Sequence, residues 1–263
     1  MALMLALFFW FVATATVAIF LGRVWWMPEL ISVHGRAIDD ELVLTLAVAG
    51  VVFFLAQVGL GYLIWRYRAQ RVERAANWHE NPKLEATWTI VTAVIFVALG
   101  IQGDRVWAHL LVQPPPDALT IEVTAQQFAW NIRYPGPDGQ FGRTSPSLIK
   151  DSEGNYLGLD PKDRAGADDL VVQNIMAVPV NRPVRVMLRT KDVIHSFFVP
   201  PLRVKQDAVP GMGITIHFIA TRTGEYEIAC AELCGMQHYK MRGRLLVMEE
   251  AQFEKWLKER SAL

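Results

Sequence analysis

Three long apolar runs stand near the N-terminus of the chain, before any regular alternation of apolar and polar residues begins. Residues 2–22 and 42–65 carry no charged side chain, and residues 86–103 form a shorter uncharged run closed by Asp104 and Arg105. Each run is close to the roughly 20 residues with which a helix crosses a hydrocarbon core about 30 Å thick. We therefore predict three transmembrane helices. A cleaved signal peptide is the alternative for the first run, which lacks the basic start of such a segment.

The charges between these runs predict the orientation of the chain. Arg66, Arg68, Arg71 and Arg74 follow the second run, and loops rich in Lys and Arg stay on the cytoplasmic side. The loop after the first run carries more acidic than basic residues, so we expect it outside. The N-terminus is then cytoplasmic, and the C-terminal part lies on the periplasmic side of a bacterial inner membrane.

Beyond residue 106 the pattern changes to short alternating stretches separated by turn residues, which is typical of β-strands. Residues 135–169 are rich in Gly, Pro and Asp and indicate an insertion, and the spacing of apolar residues over 249–260 predicts an amphipathic helix. We predict a membrane region over residues 1–106 and an all-β Greek-key sandwich or barrel over 107–263. The predicted strands lie within 119–134, 183–190, 213–221, 224–230 and 243–249.

Charge narrows the possible partners of the outer domain. Residues 104–263 carry 19 Lys and Arg against 19 Asp and Glu, so the net charge is zero. A balanced surface lacks the basic footprint of a nucleic-acid-binding protein, so we expect no nucleic acid partner.

The stretch CAELCGMQHYKM (230–241) contains both cysteines of the chain. Cys230, Cys234, His238 and Met241 supply thiolate, imidazole and thioether groups, a ligand set that suits copper first and zinc next. A loop can return these side chains to one point, whereas a strand spreads them by about 3.3 Å per residue. The spacing favours a metal site. A disulfide between the two cysteines remains the alternative in an oxidising compartment.

A further histidine would complete such a site. His195, in KDVIHSFFVPPL, follows an apolar pair at the predicted end of a strand and is the best candidate. His217 alternates with apolar residues in GITIHFIAT, so we expect its ring to point away from the core.

Two segments together, DVIHSFFVPPLRVKQDAVPGM (192–212) and GEYEIACAELCGMQHYKMRG (224–243), resemble subunit II of the haem-copper cytochrome c oxidases, in the branch that keeps the binuclear CuA centre. ENPKLEATWTI, ISVHGRAIDDE and IWRYRAQR extend the resemblance from about residue 31 to the C-terminus. The resemblance implies a cupredoxin-like fold and an electron-transfer subunit. Such a subunit accepts electrons from a c-type cytochrome and passes them to haem in subunit I, where oxygen reduction drives proton pumping. The chain would not be catalytic alone.

The resemblance also implies a role for each ligand. Cys230 and Cys234 would bridge two copper ions, with His195 and Met241 completing one copper. His238 and the backbone carbonyl of Glu232 would complete the other. The Glu232 side chain would face a magnesium ion shared with subunit I, and Asp192 and Ser196 would fix the orientation of His195.

The chain departs from the family pattern in several places. The first apolar run has no counterpart in the usual two-span subunit. We expect it to be an extra transmembrane helix, for which a simple anchor packed against another subunit is the plainest role. Phe128 replaces the tryptophan that receives the electron in the family, while Trp130 is kept. Both are candidates for electron uptake, with core packing as the alternative.

Glu85 matches a glutamate at the mouth of a proton channel, or else flanks the membrane as a solvated side chain.

Basic residues flank the ligand loop, and the domain is neutral overall, which disfavours steering of a freely diffusing basic cytochrome by an acidic surface. We expect a donor that is tethered, held in a stable supercomplex with the other oxidase subunits, or docked by apolar contacts. The flanking residues are Lys240, Arg242 and Arg244.

Two other functions remain open from the sequence. A membrane-anchored copper chaperone also uses Cys-x3-Cys with a distant histidine, but on a thioredoxin-like fold of alternating strands and helices. A quinol-oxidising relative keeps the oxidase fold but loses the copper ligands, all of which are present here.

Overall fold

The computed structural model describes residues 1–68, 80–110 and 114–261. Three long helices come first: α1 (Ala2–Leu21), α2 (Gly35–Arg66) and α3 (Pro82–Leu110). All three are long and apolar enough to cross a membrane, which confirms the predicted helical anchor. The helices α2 and α3 extend beyond the predicted apolar runs, because helical hydrogen bonding continues through the polar residues that flank them. Arg71 and Arg74, on which the predicted orientation partly rests, lie outside the described residues.

Helix α1 packs against α2 of the same chain. The indole Nε1 of Trp10 donates a hydrogen bond to the carbonyl of Val58 at 3.2 Å. The ring fits because Gly61 has no side chain; a Cβ there would lie 2.5 Å from Trp10 Nε1. Ala6 and Ala13 share this face of α1 at helical spacing and are fully buried. Small residues thus let the two helices approach closely.

The outer domain is a sandwich of two five-stranded sheets followed by the short helix α4 (Glu250–Ser261). One sheet has the order β3-β2-β1-β5-β8 and the other β4-β10-β9-β6-β7. The pairs β1 with β5 and β4 with β10 are parallel. This arrangement confirms the predicted membrane-anchored all-β architecture with a cupredoxin-like Greek-key sandwich. The strands are β1 (Leu119–Gln126), β2 (Ala129–Tyr134), β3 (Leu170–Gln173), β4 (Ile175–Pro179), β5 (Pro183–Thr190), β6 (His195–Val199), β7 (Val204–Ala208), β8 (Ile214–Ile219), β9 (Gly224–Cys230) and β10 (Arg242–Met248).

The alternating stretches correspond to β1, β2, β5, β8, β9 and β10. Strands β3, β4, β6 and β7 were not predicted, because each has only four or five residues and prolines lie in or beside several of them. The position of His195 was wrong, since it begins β6 and does not follow a strand. Residues 135–169 join β2 to β3 through short 3₁₀ turns and isolated bridges.

The segment Pro28–Arg36, between α1 and α2, forms one compact unit with the sandwich. Ile31 is fully buried in the core of that unit, and its carbonyl accepts the N–H of Thr221 at 2.8 Å. Ser32 forms a bridge with Ala220, just beyond β8. The segment therefore covers the edge of the first sheet at β8, where free backbone groups would otherwise be exposed.

Candidate metal centre

Three neighbouring strands bring the predicted ligands to one corner of the second sheet. His195 begins β6, Cys230 ends β9, and Met241 directly precedes β10. Strand β9 pairs with both of the others: Phe197 lies opposite Cys230, and the N–H of Cys230 donates to the carbonyl of Met241 at 3.3 Å. The sheet register therefore brings three residues together that are far apart in sequence.

The loop from β9 to β10 supplies the remaining side chains. Gly235 has a φ of +135°, and a Cβ there would lie 2.8 Å from Gln127 Nε2 and 3.1 Å from Phe128 Cζ. Only glycine allows both this backbone conformation and this close approach. Past the bend, the N–H of His238 donates to the carbonyl of Gly235 at 3.1 Å, which turns His238 back toward the sulfur of Cys234.

The sulfur and nitrogen atoms of five side chains converge within this corner. The two thiol sulfurs of Cys230 and Cys234 lie 3.8 Å apart, and Cys234 Sγ lies 3.8 Å from Met241 Sδ. His195 Nδ1 lies 3.1 Å from Met241 Sδ and 3.9 Å from Cys230 Sγ. His238 Nδ1 lies 3.6 Å from Cys234 Sγ. One ligand atom each from His195, Cys230 and Cys234 falls within 4.8 Å of the others, so this group could hold a metal ion.

The backbone of Glu232 takes part as well. Its carbonyl oxygen accepts a hydrogen bond from Cys230 Sγ at 3.2 Å, whereas its side chain is exposed. Cys230 and Cys234 are free thiols, and Cys234, Met241 and His195 are almost entirely buried. An arrangement that buries soft donors around a small space fits copper better than a hard cation.

Asp192 fixes the orientation of His195. Its Oδ1 lies 2.8 Å from His195 Nε2, so Nε2 is assigned a proton, and Nδ1 faces the sulfurs. Burial lowers the pKa of His195, but hydrogen bonds with Cys230 and Asp192 outweigh it and raise that pKa overall. Burial likewise raises the pKa of Asp192, but hydrogen bonds from Gln127, His195 and Val193 outweigh it, so the net pKa is lowered. The carboxylate is therefore ionised and holds the imidazole in place.

The two thiols differ in their readiness to ionise. Burial raises the pKa of Cys230, but hydrogen bonds from His195 and nearby backbone groups outweigh this and lower it to about 6. Burial raises the pKa of Cys234 to about 12, and the neighbouring charge of Cys230 adds to the effect. Two thiolates 3.8 Å apart repel each other, so a bound cation would stabilise the pair in the doubly ionised form.

The other predicted site residues lie as follows. Trp130 is fully buried, and the centroid of its ring lies 6.3 Å from that of His195. Phe128 is half-buried and packs against the core. Glu85 lies in the first turn of α3, where its Oε1 accepts the N–H of Asn81 at 3.3 Å.

Ser196 does not orient His195, contrary to our expectation. Alternation along β6 turns its side chain to the face opposite His195. Its carbonyl instead accepts the N–H of Ala231 at 3.0 Å and holds the start of the ligand loop. His217 lies outside the core as predicted, and its ring contacts that of His34 edge-on with centroids 5.0 Å apart.

One contact of the centre was not foreseen. The side-chain amide of Gln127, in the turn between β1 and β2, donates to the carbonyl of Cys234 at 2.6 Å. In the sequence, Gln127 stands out by its position next to Phe128. That position does not identify Cys234 as its hydrogen-bond partner.

Two family models match the chain. The periplasmic domain of cytochrome c oxidase subunit II matches residues 119–248, and the transmembrane domain of the same subunit matches residues 27–103. The alternative cytochrome c oxidase subunit 2 of Bradyrhizobium diazoefficiens is 37% identical over 236 residues, which cover 89% of this chain and 83% of the relative. Cytochrome c oxidase subunit 2 of Cereibacter sphaeroides is 34% identical over 221 residues, which cover 81% of this chain and 72% of the relative.

Among solved structures, the periplasmic domain of subunit II of cytochrome oxidase (CoxB) of Bradyrhizobium japonicum aligns with a TM-score of 0.42 and 32% identity. That alignment covers 56% of this chain and 96% of the other. The two family models and the two curated relatives cover both the helical anchor and the sandwich. This chain therefore belongs to the cytochrome c oxidase subunit II family.

Proposed function

We propose that the centre holds two copper ions and that the chain passes electrons from a c-type cytochrome to haem in subunit I, where oxygen is reduced and protons are pumped. Cys230 and Cys234 would be shared by the two ions, with His195 and Met241 as further ligands on one side and His238 and the carbonyl of Glu232 on the other. The proposal rests on the convergence of thiol, imidazole and thioether groups around two sulfurs 3.8 Å apart.

Copper held by two shared thiolates would supply a one-electron redox centre whose oxidation and reduction need little change of geometry. The protein contributes a rigid frame for this. Asp192 holds the ring of His195, and the paired strands β6, β9 and β10 fix the ends of the ligand loop. Burial of Met241 and Cys234 excludes water from most of the centre.

The test is metal analysis of the intact oxidase purified from membranes, together with its electron paramagnetic resonance and near-infrared absorption. We expect two copper ions for each copy of this chain in this centre and the hyperfine pattern of an electron shared by two nuclei. One colourless cuprous ion would instead support the copper chaperone. Sulfurs bonded to each other, with no metal beside them, would contradict both functions.

The ligand loop also suggests how the donor binds. Leu233, Met236 and Tyr239 are 79%, 94% and 69% exposed. Two of the flanking cations are paired with acidic side chains across the β9–β10 ladder, Arg242 with Glu227 at 2.9 Å and Arg244 with Glu225 at 3.3 Å. This surface is apolar and nearly neutral, which supports docking by apolar contacts or within a stable supercomplex. Strong dependence of the reduction rate on ionic strength, with a soluble basic cytochrome, would contradict it.

Three further parts of the proposal come from the family resemblance. The exposed side chain of Glu232 is available to a magnesium ion shared with subunit I. Glu85, at the start of α3, lies at the mouth of a proton channel, and its bond to Asn81 also fits a simple helix cap. The N-terminus is cytoplasmic, so that the sandwich lies on the periplasmic side. Protease accessibility of the sandwich in right-side-out and inverted vesicles tests this orientation.

A further inference from the structure

The turn between β1 and β2 contacts both the segment that carries His195 and the loop that carries Cys234. Strands β1 and β2 belong to one sheet of the sandwich, whereas the ligands are supplied by β6, β9, β10 and their loops in the other sheet. We infer that Gln127, in this turn, is a positioning residue that fixes the His195 side of the centre relative to the Cys234 side. The inference rests on the proposed copper function and concerns how the ligand geometry is held.

The first contact runs through the backbone. The N–H of Gln127 donates to Asp192 Oδ2 at 2.7 Å, while Asp192 Oδ1 lies 2.8 Å from His195 Nε2. The carboxylate therefore bridges the turn and the imidazole with its two oxygens. Because a backbone N–H makes this contact, it persists whatever side chain stands at position 127.

The second contact runs through the side chain. Gln127 Nε2 donates to the carbonyl of Cys234 at 2.6 Å. The next residue, Gly235, leaves room for the amide, since a Cβ there would lie 2.8 Å from Gln127 Nε2. The amide thereby orients the peptide group that carries the Cys234 thiol.

Together, the two contacts form a continuous chain of hydrogen bonds from His195 through Asp192 and Gln127 to Cys234. Without the side-chain contact, the loop is held near Cys234 by its own bend and by the strand ends. A ligand shell that must keep its shape during electron transfer benefits from such an external support. We therefore expect the amide to affect the absorption spectrum of the centre, its reduction potential and its retention of copper. The ligand side chains themselves are present with or without it.

The test uses the intact oxidase with Gln127→Met, which keeps the length of the side chain and the backbone contact to Asp192 but removes the donor. Gln126→Met is the matched control. It makes the same exchange one residue earlier, where the lost hydrogen bond runs to Asn131 and not to the ligand loop. The measurements are copper content, near-infrared absorption, hyperfine pattern, reduction potential, and the rate at which copper is released to a chelator.

For Gln127→Met we expect full initial copper content, a displaced near-infrared band, and a shifted reduction potential. Copper release should be about tenfold faster, the equivalent of one lost hydrogen bond of about 1.4 kcal/mol. Gln126→Met should match the wild type in all of these. If wild type and Gln127→Met both show the shared-electron spectrum with the same band, potential and release rate, the inference is wrong although the copper function stands. If the wild-type oxidase has no such spectrum, the proposed function itself fails.

Discussion

Asp192 Oδ1 lies 2.8 Å from His195 Nε2, on the side of the imidazole ring opposite the cysteine and methionine sulfurs. The carboxylate is itself held by the N–H of Val193 at 2.7 Å and by the turn at Gln127. A buried imidazole with one nitrogen fixed in this way presents the other nitrogen to a metal without rotational freedom. The order of residues in DVIH therefore encodes both a proposed ligand and the group that orients it.

Replacing Asp192 with alanine should weaken copper retention by about 10- to 100-fold, which is the usual cost of removing a partner that orients a metal-bound histidine. Asp192→Asn keeps an oxygen that can accept from Nε2, so its effect should be smaller. Competition with a copper chelator, on intact oxidase, measures both. The control is Asp138→Ala, in an exposed turn where the carboxylate accepts the N–H of nearby Gln140. Equal retention in Asp192→Ala and Asp138→Ala would contradict an orienting role.

Copper loading should release about one thiol proton per chain near pH 7.5. At that pH, Cys230, with a pKa of about 6, is already ionised, and Cys234, with a pKa of about 12, still carries its proton. As the pH falls below 6, Cys230 also becomes protonated, so proton release should rise toward two and the copper affinity should fall. Calorimetry of copper-depleted oxidase in buffers of different ionisation enthalpy measures the count. The thiolate absorbance of the copper-depleted oxidase, followed across pH, separates these thiol protons from any proton released by His195, whose pKa is also raised. A protonated Cys230 at pH 7.5 would contradict the prediction.

The same sulfur pair predicts sensitivity to oxidants before copper is bound. The separation of 3.8 Å between free thiols needs only a small movement to reach the bond length of a disulfide, about 2.05 Å. Treating the copper-depleted oxidase with a mild oxidant should therefore block loading and abolish proton release, and a thiol reductant should restore both. The copper-loaded oxidase, treated in the same way, is the control and should keep its metal.

Arg133 should be essential to the stability of the outer domain. Its guanidinium is 2% exposed and binds Glu122 at 3.0 Å and the fully buried carboxylate of Asp169, which ends the 135–169 insertion. Arg133→Met would leave a buried carboxylate unpaired, so the free energy of unfolding should fall by about 3 to 5 kcal/mol. Denaturant unfolding of the chain, with proteolysis of residues 135–169 as a second measurement, checks this.

The matched control for Arg133 is Arg143→Met in the same insertion. Arg143 is paired with Asp160 and Asp163, but its side chain is 73% exposed, and water screens such pairs. We expect little change in stability and no faster cleavage. Similar losses in the two variants would contradict a special role for the buried pair.

The sequence predicted the parts of this protein that local patterns determine. The three apolar runs are long helices, and the five alternating stretches hold six of the strands. Four of the five converging side chains lie within twelve consecutive residues. His195 was identified because it follows an apolar pair near a predicted strand, although it begins a strand and does not end one. The support that Gln127 gives to Cys234 spans 107 positions and has no periodic signal. The same holds for Ile31, which lies between two membrane helices in the sequence but packs in the core of the sandwich. Such contacts depend on how the sheets pack, which residue spacing alone does not specify.

Electron uptake should depend on Trp130 even though Phe128 replaces the family tryptophan. The ring of Trp130 contacts those of His195 and Phe197, at centroid distances of 6.3 and 5.6 Å, and an indole is more easily oxidised than a phenyl ring. Its buried Nε1 makes no hydrogen bond among the described residues, so Trp130→Phe leaves no partner unpaired, and its cost in stability comes from the smaller ring at a buried position.

In single-turnover experiments with the intact oxidase and its cytochrome, Trp130→Phe should slow the reduction of the copper centre several-fold. The near-infrared band should stay unchanged. Phe128→Trp should accelerate the same step. Trp256→Phe, on α4 against Tyr134, is the control and should match the wild type. Normal rates in both Trp130→Phe and Phe128→Trp would mean that the two rings are core packing and that electrons reach the copper by another route, such as the exposed ligand loop.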